Sequence, residues 1–352
     1  MAVARRVTAL KQRLLAEIER SGPIPISEYM ARCLYDADHG YYTKNADLGA
    51  EGDFITAPEI SQAFGEVIGL AIAQAWMDQG CPDPFVLAEA GPGRGLLMSD
   101  ILRATAKVGG FHKAMRIHLL EVSTKLRDTQ KQTLSDFEQN WIEDLTALPD
   151  YPLFLIANEY FDCLPIRQYR KTEQGWQEQM IGSDGGDLRF ILGRTTPLPN
   201  APTDADFIET SPAAIAQTEA IANHIATYGG AALLIDYGMA SVTYDSLQAI
   251  AGHKKVSVLD RPGEADLTAH VDFQQIKDAS KACQIQGPET QGTFLERLGI
   301  SARMGQLAQH SKNPQAIIRA HRRLVHPDEM GTLFKAMALT PKGAAPFSGF
   351  DA

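Results

Sequence analysis

Glu89 stands two residues ahead of Gly91, and Gly93 and Gly95 follow at alternate positions in Val86-Leu-Ala-Glu-Ala-Gly-Pro-Gly-Arg-Gly95. Glycines so spaced let a backbone turn sharply and approach a ligand with no Cβ in the way. Glu121 ends an apolar run, Arg116–Val122, 26 positions after the last glycine. In nucleoside-binding α/β sheets an acid there accepts hydrogen bonds from ribose hydroxyls, and a spacing beyond the usual ≈20 implies a longer helix and loop. Asn158-Glu-Tyr-Phe-Asp162 follows a second apolar run, and its two leading polar groups and two aromatics suit a reaction floor better than a core. Gly263-Glu-Ala-Asp-Leu-Thr-Ala-His-Val-Asp-Phe273 holds three acids and a histidine; Asp272 fits a helix N-cap, whereas Glu264, Asp266 and His270 have no evident structural duty.

The elements that must hold these groups are those of a parallel sheet. Val86–Ala88, Arg116–Val122, Trp141–Leu145, Leu153–Ala157 and Ala231–Ile235 read as strands, and Leu96–Val108 as the helix after the glycines. Strands alternating with helices give an α/β fold whose ligands sit beyond the strands' carboxyl ends. Asn158 and Glu159 fall there. At the third strand's end Asp144-Leu145 can meet a base, and Asp144 can equally be a turn cap. Before the sheet, Val7–Arg20 is amphipathic, Ser27 caps a short helix, and Thr56 and Glu59 have capping-box spacing ahead of a long apolar helix that includes Ile60 and Trp76. The preceding loop, with Gly49, Gly52 and Asp53, has no such duty and reads as a binding loop. Residues 166–193 alternate as an antiparallel hairpin plus one strand, Thr293–Ala320 is helical with a break near Asn313-Pro314, and Thr332–Ala338 is a last strand.

At 352 residues the chain can bury about 75% of its unfolded surface without staples. Four scattered cysteines and no C-x-x-C or H-E-x-x-H spacing point to a reducing compartment and no metal site. No run approaches membrane-spanning length, and there is no apolar leader. A formal charge of −10 argues against nucleic acid as partner and suits a basic protein substrate.

The third glycine comes one place too early for the dinucleotide fingerprint. E-x-G-x-G-x-G instead resembles the first motif of class I methyltransferases, where the glycines cover the methionine part of S-adenosylmethionine and the acid senses its ammonium. Gly52–Ser61, Ala157–Pro165 and Gly263–Phe273, with Gly331-Thr-Leu-Phe-Lys335 near the end, resemble the MidA-like family of these enzymes from about Pro23 to Ala338. In mitochondria that family includes a complex I assembly factor that dimethylates an arginine of a core subunit. The resemblance implies a seven-stranded, mostly parallel Rossmann-like sheet with an N-terminal helical cap (1–85) and a core (86–345) carrying a β insertion at about 166–210 and a helical one at about 293–330. It implies S-adenosyl-L-methionine, a protein-arginine substrate on a complex I core subunit, and a cytoplasmic location, or the mitochondrial matrix in a eukaryote; a homodimer is an open expectation.

Arginine is a poor nucleophile, so a site must hold its guanidinium in one orientation, and carboxylates do this by bidentate pairing. The candidates are Glu159, then Asp162, Glu59 and Glu264, with Asn158 and His270 completing the catalytic set. Gly52, Asp53, Glu89, Gly91, Gly93, Gly95, Glu121, Asp144, Leu145 and Asn158 are assigned to the cofactor. An NAD(P)-dependent oxidoreductase and a non-catalytic assembly chaperone are the competing functions.

Overall fold

The computed structural model describes residues 8–44, 55–198 and 205–351. Gly52 and Asp53 therefore lie outside the described residues, as does Val7. Helix α1 (Ala9–Ser21) starts on Thr8, whose hydroxyl accepts from the Lys11 amide, and buries Leu10, Leu14 and Ile18. Helix α2 (Ile26–Tyr35) starts directly after Pro25 with no side-chain cap. The fixed φ of Pro25 already leads into the helix, so Ser27 lies inside it instead of capping it. Thr56 and Glu59 form the capping box, the Thr56 amide donating to Glu59 at 3.4 Å. The sequence predicts one helix here, but Ser61 divides it. Helix α3 (Ala57–Ile60) ends at Ser61, whose extended backbone (φ −161°) and side chain start α4 (Gln62–Asp78).

Eight strands build the central sheet: β1 (Phe85–Ala90), β2 (Met115–Leu120), β3 (Gln139–Ile142), β4 (Leu153–Asn158), β5 (Gly230–Met239), β6 (Val271–Asp272), β7 (Gln284–Thr290) and β8 (Phe334–Thr340). Seven form the continuous path β7-β8-β5-β4-β1-β2-β3, and the two-residue β6 pairs with the end of β5. From β3 across to β5, neighbours are parallel; β8 is antiparallel to both β5 and β7. The carboxyl ends of β1 to β5 thus share one edge. Burial along β1 is continuous because Phe85 and Leu87 face one core while Val86 and Ala88 face the other. The first core also takes α4, α5 (Leu96–Thr105) and, from the C-terminal region, α9 (Gln291–Arg297), α10 (Ile300–His310) and α11 (Pro314–Val325). The second takes α7 (Pro212–Tyr228) and α8 (Phe273–Ala279), the latter capped by Asp272. Helix α6 (Thr124–Thr133) follows β2 and begins on Ser123.

A third core joins α1 and α2 to the inserted sheet. That sheet holds the expected hairpin, Arg167–Thr172 with Gly175–Asp184, and a third strand, Asp187–Thr195; Phe207–Thr210 and Ile24–Pro25 add two edges. A three-stranded sheet of Gln248–Ala251, Lys254–Val256 and Asp266–Thr268 packs in the same core. The helical region breaks at Asn313, as expected, and also at Gly299, whose φ is +84°.

Gly65 and Gly69 lie one turn apart on α4 where it presses on α5. A Cβ on Gly65 would sit 2.5 Å from the Asp100 Cβ, and one on Gly69 would sit 2.9 Å from the Ile101 Cα, which belongs to backbone. Gly69→Ala should therefore force the helices apart and lower the unfolding free energy by about 1–3 kcal/mol, the range for overpacked cores. Urea denaturation of the two proteins checks this; equal midpoints would show that the helices separate without cost.

Candidate functional site

The candidate site residues sit where strands β1, β2, β4 and β5 stop. After β1 the chain turns on Gly91, Gly93 and Gly95, with φ of +66°, +50° and +79°, a region that L side chains rarely adopt. Gly91 lies under Tyr160: an added Cβ would come within 2.9 Å of the ring. Around Gly93 there is room among the described residues, with no atom within 4 Å of its Cβ position. Gly95 opens α5. Glu89, on β1, is 3% exposed, and burial pushes its carboxyl up to about 8, partly offset by the Met98 amide. Its Oε2 meets no donor among the described residues.

Glu121 follows the last residue of β2 and is also buried. Oε1 accepts from the Ser123 amide at 2.8 Å and Oε2 from Gln130 Nε2 at 3.1 Å. Burial raises its pKa, and these donors oppose the rise. Beyond β3, Asp144 is exposed and accepts from the Thr146 amide at 2.7 Å; the Thr146 side chain and then this amide hold its carboxyl below the usual range. Of its two readings the cap is the one the hydrogen bonds realise. The strand ends at Ile142, and Leu145 is buried at the start of a single 3-10 turn. Asp144 and Glu121 both lie within electrostatic reach of the Tyr160 hydroxyl.

Asn158 and Glu159 occupy the end of β4. Glu159 takes φ +52°, a strained conformation for a residue other than glycine. Its amide still donates to Ile235 O at 2.9 Å. Its Oε1 accepts from the Ala57 amide at 2.9 Å and from Asn158 Nδ2 at 3.1 Å. Burial pushes Glu159 up to about 7, with the nearby Glu59 adding to the rise. Asn158 Oδ1 is buried and has no partner among the described residues.

Asp236, on β5, is 1% exposed and organises the turn after β4. Its Oδ2 accepts from the amides of Tyr160 (3.0 Å), Phe161 (2.7 Å) and Asp162 (3.3 Å), and its Oδ1 from Tyr237 (2.8 Å). Burial raises both Asp236 and Asp162, and Asp162 is raised further by the Asp236 and Asp266 charges beside it. Four amides solvate Asp236 while one opposes the rise at Asp162, so the first charge of the pair resides on Asp236.

The structure brings Glu59, Glu159 and Asp162 together, and adds Asp236 and Asp266. Glu59, raised by burial, lies 3.9 Å from the Arg94 guanidinium of the glycine loop. Glu264 instead pairs with Arg261 at 3.3 Å, and Asp266 is the acid of its segment that reaches Asp162. Tyr42 donates to Asp266 Oδ1 at 2.9 Å, and the Ala269 amide donates to Asp162 O at 2.9 Å. His270 packs edge-on to Tyr237 at 4.2 Å and shares a 2.6 Å hydrogen bond with the Tyr244 hydroxyl. Burial lowers its pKa, and its amide ties it to Ser246, which bonds to Glu209 of the inserted sheet. Asp236 was detectable as an acid ending a strand, like Glu89. Gln130, in a polar helix, gave no sequence signal.

With this geometry the chain can be compared with known proteins. A profile of S-adenosyl-L-methionine-dependent methyltransferases matches residues 67–290. The mitochondrial protein arginine methyltransferase NDUFAF7 of Homo sapiens is 36% identical over 375 residues, covering 95% of this chain and 84% of that one. Its Xenopus tropicalis counterpart is 36% identical over 384 residues, covering 97% and 89%. A crystal structure of a Burkholderia thailandensis protein bound to S-adenosyl-homocysteine superposes with a TM-score of 0.82 at 29% identity, covering 97% of this chain and 94% of that one.

Glu89 ionises near 4.5 when unfolded and near 8 in the fold, so between those values the unfolded chain holds fewer protons. Its burial therefore costs stability progressively as pH rises through that interval. Glu89→Gln should flatten the decline, stabilising the protein at pH 8 by about 1–3 kcal/mol and changing little at pH 5. Thermal melts across that range check it, and an unaltered slope would show that Glu89 is already ionised at pH 5.

Proposed function

Because the chain belongs to the MidA-like family of S-adenosyl-L-methionine-dependent methyltransferases, we propose that it methylates an arginine of a protein, and that this protein is a core subunit of respiratory complex I. It is an enzyme, and its cofactor is S-adenosyl-L-methionine. The arginine substrate rests on relatives named protein arginine methyltransferases that align with nearly the whole chain. The proposed site of action is the cytoplasm of a bacterium, or the mitochondrial matrix of a eukaryote; the relatives' names call those proteins mitochondrial. Among the described residues no helix is long and apolar enough to cross a membrane.

The residues present fit the cofactor. Glu89 Oε2 and Asn158 Oδ1, buried at the ends of adjacent strands, lack donors among the described residues, and the cofactor's ammonium is a donor of the right charge for Glu89. Glu121 can accept from the ribose hydroxyls, and Gly91, Gly93 and Gly95 let the backbone approach. When bound, the cofactor brings an electrophilic methyl group on a cationic sulfur. What remains for the protein is to position a nucleophile in line with it and exclude water.

The observation that carries the arginine reading is Glu159. Both of its protein donors act on Oε1, which leaves Oε2 to pair with a guanidinium. Its left-handed backbone aims the carboxylate at α3, where the Ala57 amide fixes it. Asp162 and Asp266 extend the negative field, so a cation entering the cluster relieves their mutual repulsion. Ionised Glu159 accepts from the guanidinium at Oε2, orients it, and can take up there the proton that the guanidinium releases once the methyl group has been transferred.

Glu159→Gln should lower methyl transfer by at least about 100-fold, the cost of a misplaced nucleophile. Affinity for S-adenosylhomocysteine should stay within about threefold. In the wild type, kcat/KM should rise with pH through about 7 as Glu159 ionises. Mass spectrometry of complex I core subunits from cells with and without the gene supplies the substrate. Identical arginine methylation in both would overturn the assignment, as would full activity in Glu159→Gln.

A further inference from the structure

We infer that Gln130 is a positioning residue that sets how well Glu121 grips the ribose of the cofactor; the inference rests on the reading that Glu121 binds those hydroxyls. Gln130 lies on α6 and is 0% exposed. Its Oε1 accepts from Trp141 Nε1 at 2.8 Å. An indole N–H can only donate, so it fixes which end of the amide is oxygen. The two Nε2 hydrogens are then committed: one to Gly93 O at 2.7 Å, the other to Glu121 Oε2 at 3.1 Å. One side chain thus joins the glycine turn, the acid after β2 and a tryptophan of β3. A Cβ on Gly95 would meet the Gln130 Cα at 3.6 Å, so α6 also backs the turn. With Ser123 holding Oε1 at 2.8 Å, both Glu121 oxygens are anchored from the protein side. The carboxylate is held in one orientation from the protein side, the Val122 amide adding to Ser123 and Gln130.

A residue that served only the packing of α6 would affect stability without affecting which ligand is preferred. Binding of S-adenosylhomocysteine and of its 2′-deoxyribose analogue, measured by titration calorimetry, separates the two roles. In the wild type the ribose form should bind about tenfold more tightly, the worth of one charged hydrogen bond. Gln130→Met should weaken the ribose form by about tenfold and the deoxy form by less than about twofold, so that the preference collapses. Gln130→Glu keeps the shape and places a second carboxylate against Glu121. Its affinity for the ribose form should fall more steeply than that of the wild type between pH 6 and 8, as the shared proton is lost, and this variant decides the matter should Gln130→Met not fold.

A wild-type preference in Gln130→Met, or a wild-type pH profile in Gln130→Glu, would overturn the inference. Glu121→Gln is the control on the reading beneath it. If Glu121→Gln abolishes the preference and the Gln130 variants do not, the positioning role alone falls. If Glu121→Gln also keeps it, the ribose assignment of Glu121 falls and takes the inference with it.

Discussion

The site depends on one buried carboxylate accepting hydrogen bonds from backbone. When the chain leaves β4, the amides of Tyr160, Phe161 and Asp162 have no strand to pair with, and unpaired buried amides are costly. Asp236, one strand over, accepts all three on a single oxygen and Tyr237 on the other. Hydrogen bonds to a charged acceptor are each worth about 1.5–3 kcal/mol, so the set can offset a substantial part of the cost of desolvating Asp236. The consequence is geometric. Tying those amides to β5 makes the chain curl immediately after Asn158, and Glu159 takes the left-handed conformation that the curl requires. The strain of one residue, about 1–3 kcal/mol, is small beside the bonds that impose it.

From that curl, two other segments are drawn in, both distant in sequence. The Ala57 amide, exposed at the start of α3 because a helix leaves its first amides unpaired, donates to Glu159. The Ala269 amide donates to the Asp162 carbonyl, and Tyr42 reaches Asp266. The first two contacts join α3 and the Gly263–Phe273 segment to the edge of the central sheet, and the third ties Tyr42 to Asp266 within the third core.

Local chemistry made part of this legible in sequence. Three glycines in five residues, an acid after an apolar run and a Thr-x-x-Glu box are each read from a few neighbours, and the structure places positive φ, strand ends and a capping box at those positions. What was not legible depended on contacts across the fold. Ser61 splits α3 from α4 although helix-compatible residues lie on both sides. β7 contains Gly287-Pro288, which reads as a turn; the strand survives because its register shifts there against β8. In the Gly263–Phe273 segment, Glu264 and Asp266 look alike until Asp266–Thr268 pairs with Gln248–Ala251 and turns one acid inward. Asp144 reads in sequence as a ligand or a cap, and its bond from the Thr146 amide at 2.7 Å shows the cap.

Under the proposed arginine methylation, the density of acids has an electrostatic reason. Methyl transfer to arginine requires two cations, a sulfonium and a guanidinium, to meet at contact distance. Two unit charges 4 Å apart repel by about 4 kcal/mol at an effective dielectric of 20, before any chemistry begins. One carboxylate cannot cancel this while also orienting the nucleophile. Glu89 stands at the end of β1 and Glu121 just past β2, while Glu159, Asp162, Asp236 and Asp266 form one electrostatically coupled group around the end of β4. Burial raises Glu89 to about 8 and Glu159 to about 7, and also raises the Asp162–Asp236 pair, so part of the cluster carries protons near neutral pH. Each cation that enters favours the ionised form of the acid it meets. Binding of one positive partner thus readies the site to hold the second, although the two partners repel each other in water.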